Sequence, residues 1–201
     1  SLVRVQVEEY PHHYIMAFTT NLLYKIPSKF PESLLDSMVD YVKELHYNDG
    51  TVAGDHKTKS RSSQVAWIPW DEWIPGIIHN MMTVANKAYF KYDLDYFQTQ
   101  IQSTMYSGKT KDFYTWHVDN DNNSIVGNRE RKLSCSLLLS DPDEYRGGEF
   151  QIHYERHCFE SFRPQKGDCL IFPAWVPHRV RPVTEGTRIS LVSWMNGPMF
   201  K

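Results

Sequence analysis

The stretch YTWHVDN, residues 114–120, decides how this sequence is interpreted, because it places a histidine and a carboxylate two residues apart. Side chains at positions i and i+2 of a β-strand point to the same face of the sheet. If the stretch is a strand, His117 and Asp119 project side by side and Val118 faces away. Such a pair can hold a metal ion, although His-x-Asp is a short pattern that also occurs by chance near turns. Its meaning depends on whether the rest of the chain supplies partners.

The composition is that of one globular domain. The chain has 201 residues, of which 41% are hydrophobic and 23% charged, and its formal net charge is −2. This length supports a full hydrophobic core, so we predict a single domain over residues 1–201. The small net charge gives no electrostatic case for a nucleic acid or a membrane as partner. With no run of 18 apolar residues and no signal-peptide pattern, a cytoplasmic protein is expected.

The three cysteines, Cys135, Cys158 and Cys169, indicate neither a disulfide framework nor a structural zinc site. They are odd in number, widely spaced and free of a CxxC pattern. We expect buried thiols in a reducing compartment, which would also suit a site that needs ferrous iron.

Two amphipathic helices are predicted before a series of strands. Apolar residues recur at helical spacing over residues 31–46 and again over about 71–92. After Leu94, short β-type runs alternate with Gly, Pro, Asp and Asn. The order predicts an α+β fold, with helical support over about 28–94 and a two-sheet β core over about 95–201. The predicted strands are 97–106, 114–119, 132–139, 148–153, 169–172, 178–182 and 187–194.

One long polar segment, residues 49–64, is predicted to be a loop. It carries a small basic cluster of Lys57, Lys59 and Arg61. A loop of this length in a compact domain is usually functional or disordered. Contact between this cluster and a substrate, with Arg61 as the residue to test, and a merely solvated surface loop are both open at this point.

The C-terminal part supplies partners for the first motif. His178 and Arg188 both lie in the strand-rich stretch 167–194. A His-x-Asp pair on one strand and a distant histidine on another can converge on one face of a metal ion. This is the 2-His-1-carboxylate arrangement of non-haem iron oxygenases, which leaves coordination positions open for other molecules.

The order HVD, then His178, then RIS at 188–190 resembles the 2-oxoglutarate- and Fe(II)-dependent dioxygenases, in their prolyl 4-hydroxylase branch, from about residue 61 to 194. The resemblance implies a double-stranded β-helix, a cupin-like jelly roll, buttressed by the N-terminal helices. It also implies an enzyme that couples decarboxylation of 2-oxoglutarate to hydroxylation of a prolyl residue in a peptide or protein, with release of succinate and CO2. The implied cofactors are Fe(II), 2-oxoglutarate and O2, and ascorbate is expected with them.

The resemblance assigns the centre of the site residue by residue. His117, Asp119 and His178 match the iron ligands, and Arg188 matches the residue that pairs with the distal carboxylate of 2-oxoglutarate. The planar guanidinium of Arg188 suits a carboxylate for physical reasons as well, because it can donate two parallel hydrogen bonds. Ser190, two residues further along the same strand, faces the same way and is predicted to share that carboxylate.

Five further residues complete the predicted site. Tyr106 matches a tyrosine whose hydroxyl reaches 2-oxoglutarate, and Trp194 matches an aromatic position near the metal that also borders the substrate. Tyr114 likewise matches an aromatic position near the metal, and Arg131 matches a position near the substrate cleft. We therefore predict that Tyr114, Arg131, Arg61 and Trp194 contact substrate.

Departures from the family pattern leave alternatives open. Leu138 stands where the oxygen-sensing enzymes have a tyrosine, and collagen-type enzymes are expected to have lysine where Arg188 stands. A nucleic-acid demethylase of the same superfamily would show a second arginine at the position of Trp194. A hydroxylase of another amino-acid substrate and a non-catalytic metal-binding β-barrel module are further alternatives. His153 and His157 have metal-ligand spacing for a helix, but they lie between a strand and a turn.

Overall fold

The two helices of the described chain carry apolar stripes on one side. The computed structural model describes residues 19–20, 22–50, 60–97, 100–120, 125, 127–155 and 158–199. Helix α1 (Glu32–Lys43) buries Leu35, Met38 and Val42, which recur at helical spacing. Helix α2 (Trp73–Ala85) continues into a π-helical turn (Asn86–Phe90). Both predicted helices are therefore confirmed, and the second apolar pattern ends in a π-helical turn.

Short strands make up most of the rest of the described chain. In chain order they are β1 (Thr19–Thr20), β2 (Leu23–Ile26), β3 (Asn48–Asp49), β4 (Arg61–Ser62), β5 (Gln64–Pro69), β6 (Tyr96–Phe97), β7 (Gln100–Ser107), β8 (Phe113–His117), β9 (Arg129–Leu138), β10 (Tyr145–Gly147), β11 (Phe150–Glu155), β12 (Cys158–Phe162), β13 (Cys169–Pro173), β14 (His178–Val180) and β15 (Val183–Pro198).

These strands form two antiparallel sheets. The larger sheet has the order β1-β2-β13-β9-β15-β7-β5-β3, and β6 and β10 also pair with β15. The smaller sheet has the order β12-β11-β14-β8-β4. Strands that are neighbours in space are mostly distant in sequence, as in a jelly roll. The predicted double-stranded β-helix with supporting helices is confirmed.

Alternation along each strand of the larger sheet divides the core in two. On β13, Cys169 and Ile171 belong to the cluster that packs against the helices, whereas Leu170 and Phe172 belong to the cluster between the sheets. This follows from the two-residue repeat of strand side chains. The cluster between the sheets comprises Leu23, Tyr106, Tyr145, Phe150, Ile152, Leu170, Phe172, Val176, Val180 and Val183.

Two expectations from the sequence need correction. The segment before residue 95 is not only helical support, because β2 pairs with β13 and β5 pairs with β7, so both are integral to the larger sheet. Cys158 is exposed, since it begins the edge strand β12, while Cys135 and Cys169 are buried as expected. None of the helices in the described part of the chain has the length and apolarity needed to span a bilayer.

Candidate active site

Strand pairing in the smaller sheet brings two histidines together. His117 ends β8 and lies opposite His178 at the start of β14. Asp119 lies beyond the end of β8, so strand alternation does not place it as the sequence suggested. Its backbone N–H instead donates to the carbonyl of Ala174 at 2.8 Å. One ligand atom from each of the three side chains falls within 4.8 Å of the others, a spacing that can hold a metal ion.

Hydrogen bonds to backbone carbonyls fix both imidazole rings. His117 Nδ1 lies 2.8 Å from the Thr115 carbonyl, and His178 Nδ1 lies 2.9 Å from the Val176 carbonyl. A ring that donates from Nδ1 leaves the lone pair of Nε2 available. The Nε2 atoms of His117 and His178 lie 3.7 Å and 3.5 Å from the two carboxylate oxygens of Asp119. All three groups therefore present their ligand atoms toward one point.

Burial and neighbouring charge favour the protonation states that metal ligands need. Desolvation, reinforced by repulsion from His178, lowers the pKa of His117 to about 3, so this ring is neutral at pH 7. For Asp119, burial alone would raise the pKa. The two histidines and a hydrogen bond from Ser134 Oγ at 2.6 Å outweigh burial, so the pKa of Asp119 lies below its usual value. A neutral imidazole and an ionised carboxylate are the forms in which these side chains bind a divalent first-row metal.

Aromatic side chains surround the cluster. The Tyr114 ring stacks on His117 with a centroid distance of 3.5 Å and an interplanar angle of 13°. Phe172 and Phe150 lie 4.7 Å and 5.6 Å from the His178 ring. His178 is 5% exposed. Close packing of this kind holds the rings in their orientation and limits access of water.

Arg188 is buried on β15 and lines the same cavity as the metal-ligand cluster. Its side chain is 1% exposed, and NH1 donates to Ser190 Oγ at 3.0 Å. Its Nε finds no acceptor, and no carboxylate forms an ion pair with it, among the residues that the structure describes. A buried guanidinium without a counter-ion is costly. The site therefore fits an anionic ligand such as the carboxylate of 2-oxoglutarate.

Gly148 makes room for Arg188. A Cβ atom on this glycine would lie 3.0 Å from Arg188 Cδ, and its backbone has a φ of +66°. Both facts disfavour any other residue at this position. The sequence alone showed only a Gly147-Gly148 pair, which is more simply a connection between strands.

One cavity of about 330 Å³ lies between the two sheets and is shared by all the predicted site residues. Their roles stay predictions, but their meeting at one place is a fact of the structure. The Tyr106 ring lies 5.8 Å from the Arg188 guanidinium, and burial raises the pKa of the Tyr106 hydroxyl. The predicted residues that line the cavity are Arg61, Tyr106, Tyr114, His117, Asp119, Arg131, His178, Arg188, Ser190 and Trp194.

The sequence analysis missed residues that line the cavity or lie next to it. Ser134, which holds Asp119, lies on β9 next to the cavity, and the alternating serines of LSCSLLLS gave a signal for it. Gln102 Nε2 donates to Thr104 Oγ1 at 2.6 Å on the cavity side of β7. Lys57, Lys59 and His157 lie outside the described residues. His153 lies against Trp116, not in the cavity.

Comparison with known proteins shows which family these residues resemble. Residues 101–196 match the model of the 2OG-Fe(II) oxygenase superfamily. This part of the chain is similar to that family's oxygenase domain. The family uses Fe(II), 2-oxoglutarate and O2, and the matched residues include the histidine and aspartate cluster and Arg188. A PKHD-type hydroxylase of Janthinobacterium sp. (strain Marseille) is 40% identical over 87 residues, 41% of this chain. The match spans 37% of that protein's length.

Solved structures share the fold at low sequence identity. A prolyl hydroxylase of Trichoplax adhaerens, in complex with a peptide fragment of the hypoxia inducible factor oxygen degradation domain, has a TM-score of 0.70 and 18% identity. The likeness covers 88% of this chain and 84% of that chain. A prolyl-4-hydroxylase of Pseudomonas putida has a TM-score of 0.66 and 18% identity over 88% of this chain and 93% of that chain. At this identity the likeness establishes the jelly-roll fold.

Proposed function

We propose that the chain is an Fe(II)- and 2-oxoglutarate-dependent dioxygenase that hydroxylates a prolyl residue in a peptide or protein. The observation that carries the proposal is one cavity in which the cluster of His117, Asp119 and His178 lies beside a buried guanidinium with no described counter-ion. A metal site alone would need only the first of these features. A site for a metal-bound anionic cosubstrate needs both.

The chain's own residues hold and orient the reactants. His117, Asp119 and His178 supply three ligands, so other coordination positions stay available for cosubstrate and oxygen. Loaded with Fe(II) and 2-oxoglutarate, such a site oxidises a C–H bond with O2 to a C–OH group, and 2-oxoglutarate becomes succinate and CO2. Phe150, Phe172 and the other apolar walls exclude water from the oxidising centre.

Arg188 is proposed to bind the distal carboxylate of 2-oxoglutarate. Its Nε and the Nε1 of Trp194 are buried donors without an acceptor among the described residues, and both side chains line the cavity. Ser190 receives a hydrogen bond from Arg188 NH1, which leaves its own hydroxyl proton for a ligand. A carboxylate bound here would satisfy donors that the folded chain otherwise leaves unpaired.

A prolyl substrate is the finer part of the proposal. It is supported by the resemblance of the HVD, His and RIS motifs to prolyl 4-hydroxylases and by two solved prolyl hydroxylases of similar fold. One of these contains a bound peptide. Ascorbate, as a reductant for the iron, stays a prediction.

The test is turnover by the purified chain. Protein loaded with Fe(II) under argon is mixed with 2-oxoglutarate, air-saturated buffer and proline-containing peptides, with and without ascorbate. Succinate release and a gain of about 16 daltons on the proline, the mass of the inserted oxygen, are expected by mass spectrometry. His178→Ala should abolish both signals without loss of the folded state. Hydroxylation of another residue type would refute the prolyl assignment, and absence of any succinate would refute the enzyme.

A further inference from the structure

One short turn contacts two of the three candidate metal ligands. Residues 173–177, with the sequence PAWVP, lead from β13 of the larger sheet to β14 of the smaller one. The carbonyl of Ala174 accepts a hydrogen bond from the backbone N–H of Asp119 at 2.8 Å. Two residues later, the carbonyl of Val176 lies 2.9 Å from Nδ1 of His178. Two ligands that are distant in the chain are therefore both bonded to the 173–177 turn.

The turn itself is firmly held. Ala174 and Val176 are both 0% exposed. The Ala174 N–H donates to the carbonyl of Lys132 at 3.0 Å, and the Val176 N–H closes the turn on the carbonyl of residue 173, also at 3.0 Å. Pro173 and Pro177 have fixed φ angles, and each restricts the residue before it to extended conformations. The two carbonyls therefore have little freedom to follow a ligand that moves.

Each carbonyl constrains a different property of its ligand. The Val176 carbonyl favours the tautomer of His178 that carries its proton on Nδ1, which leaves the lone pair on Nε2. That Nε2 lies 3.5 Å from Asp119 Oδ2. The Ala174 carbonyl fixes the backbone of Asp119 beyond the end of β8, while the Ser134 hydroxyl orients its carboxylate. Both constraints are present in the metal-free chain, so these ligands need little rearrangement when a metal binds.

We propose that the 173–177 turn positions Asp119 and His178 as one unit and so preorganises the site for its metal. The inference rests on the proposed function, because it takes these two residues as metal ligands. Ala174 and Val176 are positioning residues, since they act through the ligands that they contact. Partners that orient metal ligands typically contribute about 10- to 100-fold to metal affinity. Positioning as one unit has a further consequence, because weakening one of the two bonds loosens the turn and with it the other bond.

The test replaces single backbone amides with esters, because no side-chain substitution removes a backbone carbonyl. An ester carbonyl is a weaker hydrogen-bond acceptor than an amide carbonyl. At position 175, the α-hydroxy analogue of tryptophan weakens the Ala174 carbonyl and keeps the side chain. It removes the Trp175 N–H, which makes no hydrogen bond among the residues that the structure describes. At position 177, lactic acid weakens the Val176 carbonyl, and Pro177→Ala is the matched amide.

Pro142 offers a matched control in another turn. The carbonyl before it, that of Asp141, accepts the N–H of Glu144 at 3.0 Å, and none of the three residues lines the cavity. Lactic acid and Pro142→Ala at this position repeat the chemical change away from the metal ligands. Zn(II) affinity is measured by competition with a chelator, and the visible spectrum of bound Co(II) reports the arrangement of the ligands. Urea denaturation of the metal-free proteins reports their stability.

Each ester in the 173–177 turn should weaken Zn(II) binding roughly 3- to 10-fold relative to its amide, since a hydrogen bond is weakened but not removed. The Co(II) spectrum should change in both esters, because the ligands are held less firmly. The two esters combined should weaken binding by less than the product of their separate effects, as expected for contacts that share one element. The ester at position 142 should match its amide within about twofold in affinity and leave the spectrum unchanged.

Unchanged Zn(II) affinity and Co(II) spectra in both esters of the turn would overturn the inference, even if the metal-free protein became less stable. Effects that multiply in the combined variant would overturn positioning as one unit, because each carbonyl would then act separately. The proposed function fails by a different result. Weaker Zn(II) binding by the esters, together with no succinate from the iron-loaded natural chain, would support the role of the turn and refute the enzyme. Succinate release with equal affinities of ester and amide would leave the enzyme standing and remove the role of the turn.

Discussion

The two faces of the larger sheet differ in chemistry although they come from the same strands. On β15, Ile189 and Leu191 point toward the helices, whereas Arg188 and Ser190 line the cavity. Strand β9 repeats the pattern, with Leu133 and Leu137 among the residues packed on the helix side. One face is a closed apolar core, and the other combines a second apolar cluster with the polar residues that line the cavity. Neighbouring positions of one strand thus contribute alternately to the apolar core and to the cavity.

This alternation separates stability from chemistry. The helix face is stabilised by apolar burial, which does not depend on any ligand. The cavity face includes buried polar groups that need a ligand to be satisfied, and such groups reduce the stability of the unliganded protein. Substitutions at adjacent positions of β15 should therefore affect different quantities. A substitution on the helix face should change the free energy of unfolding, and one on the cavity face should change ligand affinity.

The largest effect on stability is expected from Leu191→Ala. Leu191 is fully buried between the sheet and the helices. Removing its side chain leaves a cavity and should lower the free energy of unfolding by about 2 to 5 kcal/mol, measured by urea denaturation of the metal-free protein. The affinity of the folded protein for 2-oxoglutarate should stay within about twofold, because the position faces away from the cavity. A large loss of affinity in a variant that is still folded would contradict the separation of the faces.

Arg188→Ala should show the reverse behaviour. Loss of the guanidinium leaves a bound carboxylate unpaired, which costs about 2 to 4 kcal/mol, or on the order of 30- to 1,000-fold in 2-oxoglutarate affinity. The free energy of unfolding without ligand should change little or rise, since a buried cation without a described counter-ion is removed. Calorimetric titration of the Zn(II)-loaded protein and urea denaturation measure the two quantities. Unchanged 2-oxoglutarate affinity would mean that the cosubstrate binds elsewhere.

The sequence predicted the parts of this site that depend on side-chain type and order. His117, Asp119, His178 and Arg188 were predicted from their pattern and meet in one cavity, while their roles stay predictions; alternation along one strand correctly placed Ser190 beside Arg188. The backbone bond from Asp119 to Ala174 was not predictable, because it joins segments that are distant in the chain. Such contacts depend on the tertiary structure, and no local pattern encodes them.

The same limit applied to the fold. The long, strongly periodic helices were predicted well, since many residues contribute to each pattern. The strands β2 and β12 were missed, and β12 exposes much of its surface at the sheet edge, so burial does not impose a clear apolar alternation on it. The positive φ of Gly148 was likewise not predictable from the sequence, since a glycine is equally compatible with an ordinary turn.

A smaller effect is expected on the cavity face of β9, where two serines provide a matched pair. Ser134 donates to Asp119 Oδ2, whereas Ser136 lines the cavity without that bond. Loss of a partner that orients a metal ligand typically weakens metal binding by about 10- to 100-fold. Ser134→Ala should therefore reduce Zn(II) affinity by this factor, measured against a chelator of known strength. Ser136→Ala should leave it nearly unchanged, and equal effects of the two substitutions would show that the bond does not orient Asp119.

The last effect concerns pH and the metal-free protein. The pKa of His117 is about 3 in the folded chain, against an ordinary value of 6.5. Between these values the unfolded chain binds a proton that the folded chain does not, so the free energy of unfolding should fall as the pH falls from about 6.5 toward 3. The contribution is at most about 1.4 kcal/mol per pH unit, and it is fully present above pH 6.5.

His117→Gln should flatten this dependence. Urea denaturation of both proteins between pH 4.5 and 6.5 isolates the histidine, because Asp119, whose pKa is lowered from 3.8, stays ionised there. Parallel curves for the two proteins would show that His117 is not buried as a neutral ring.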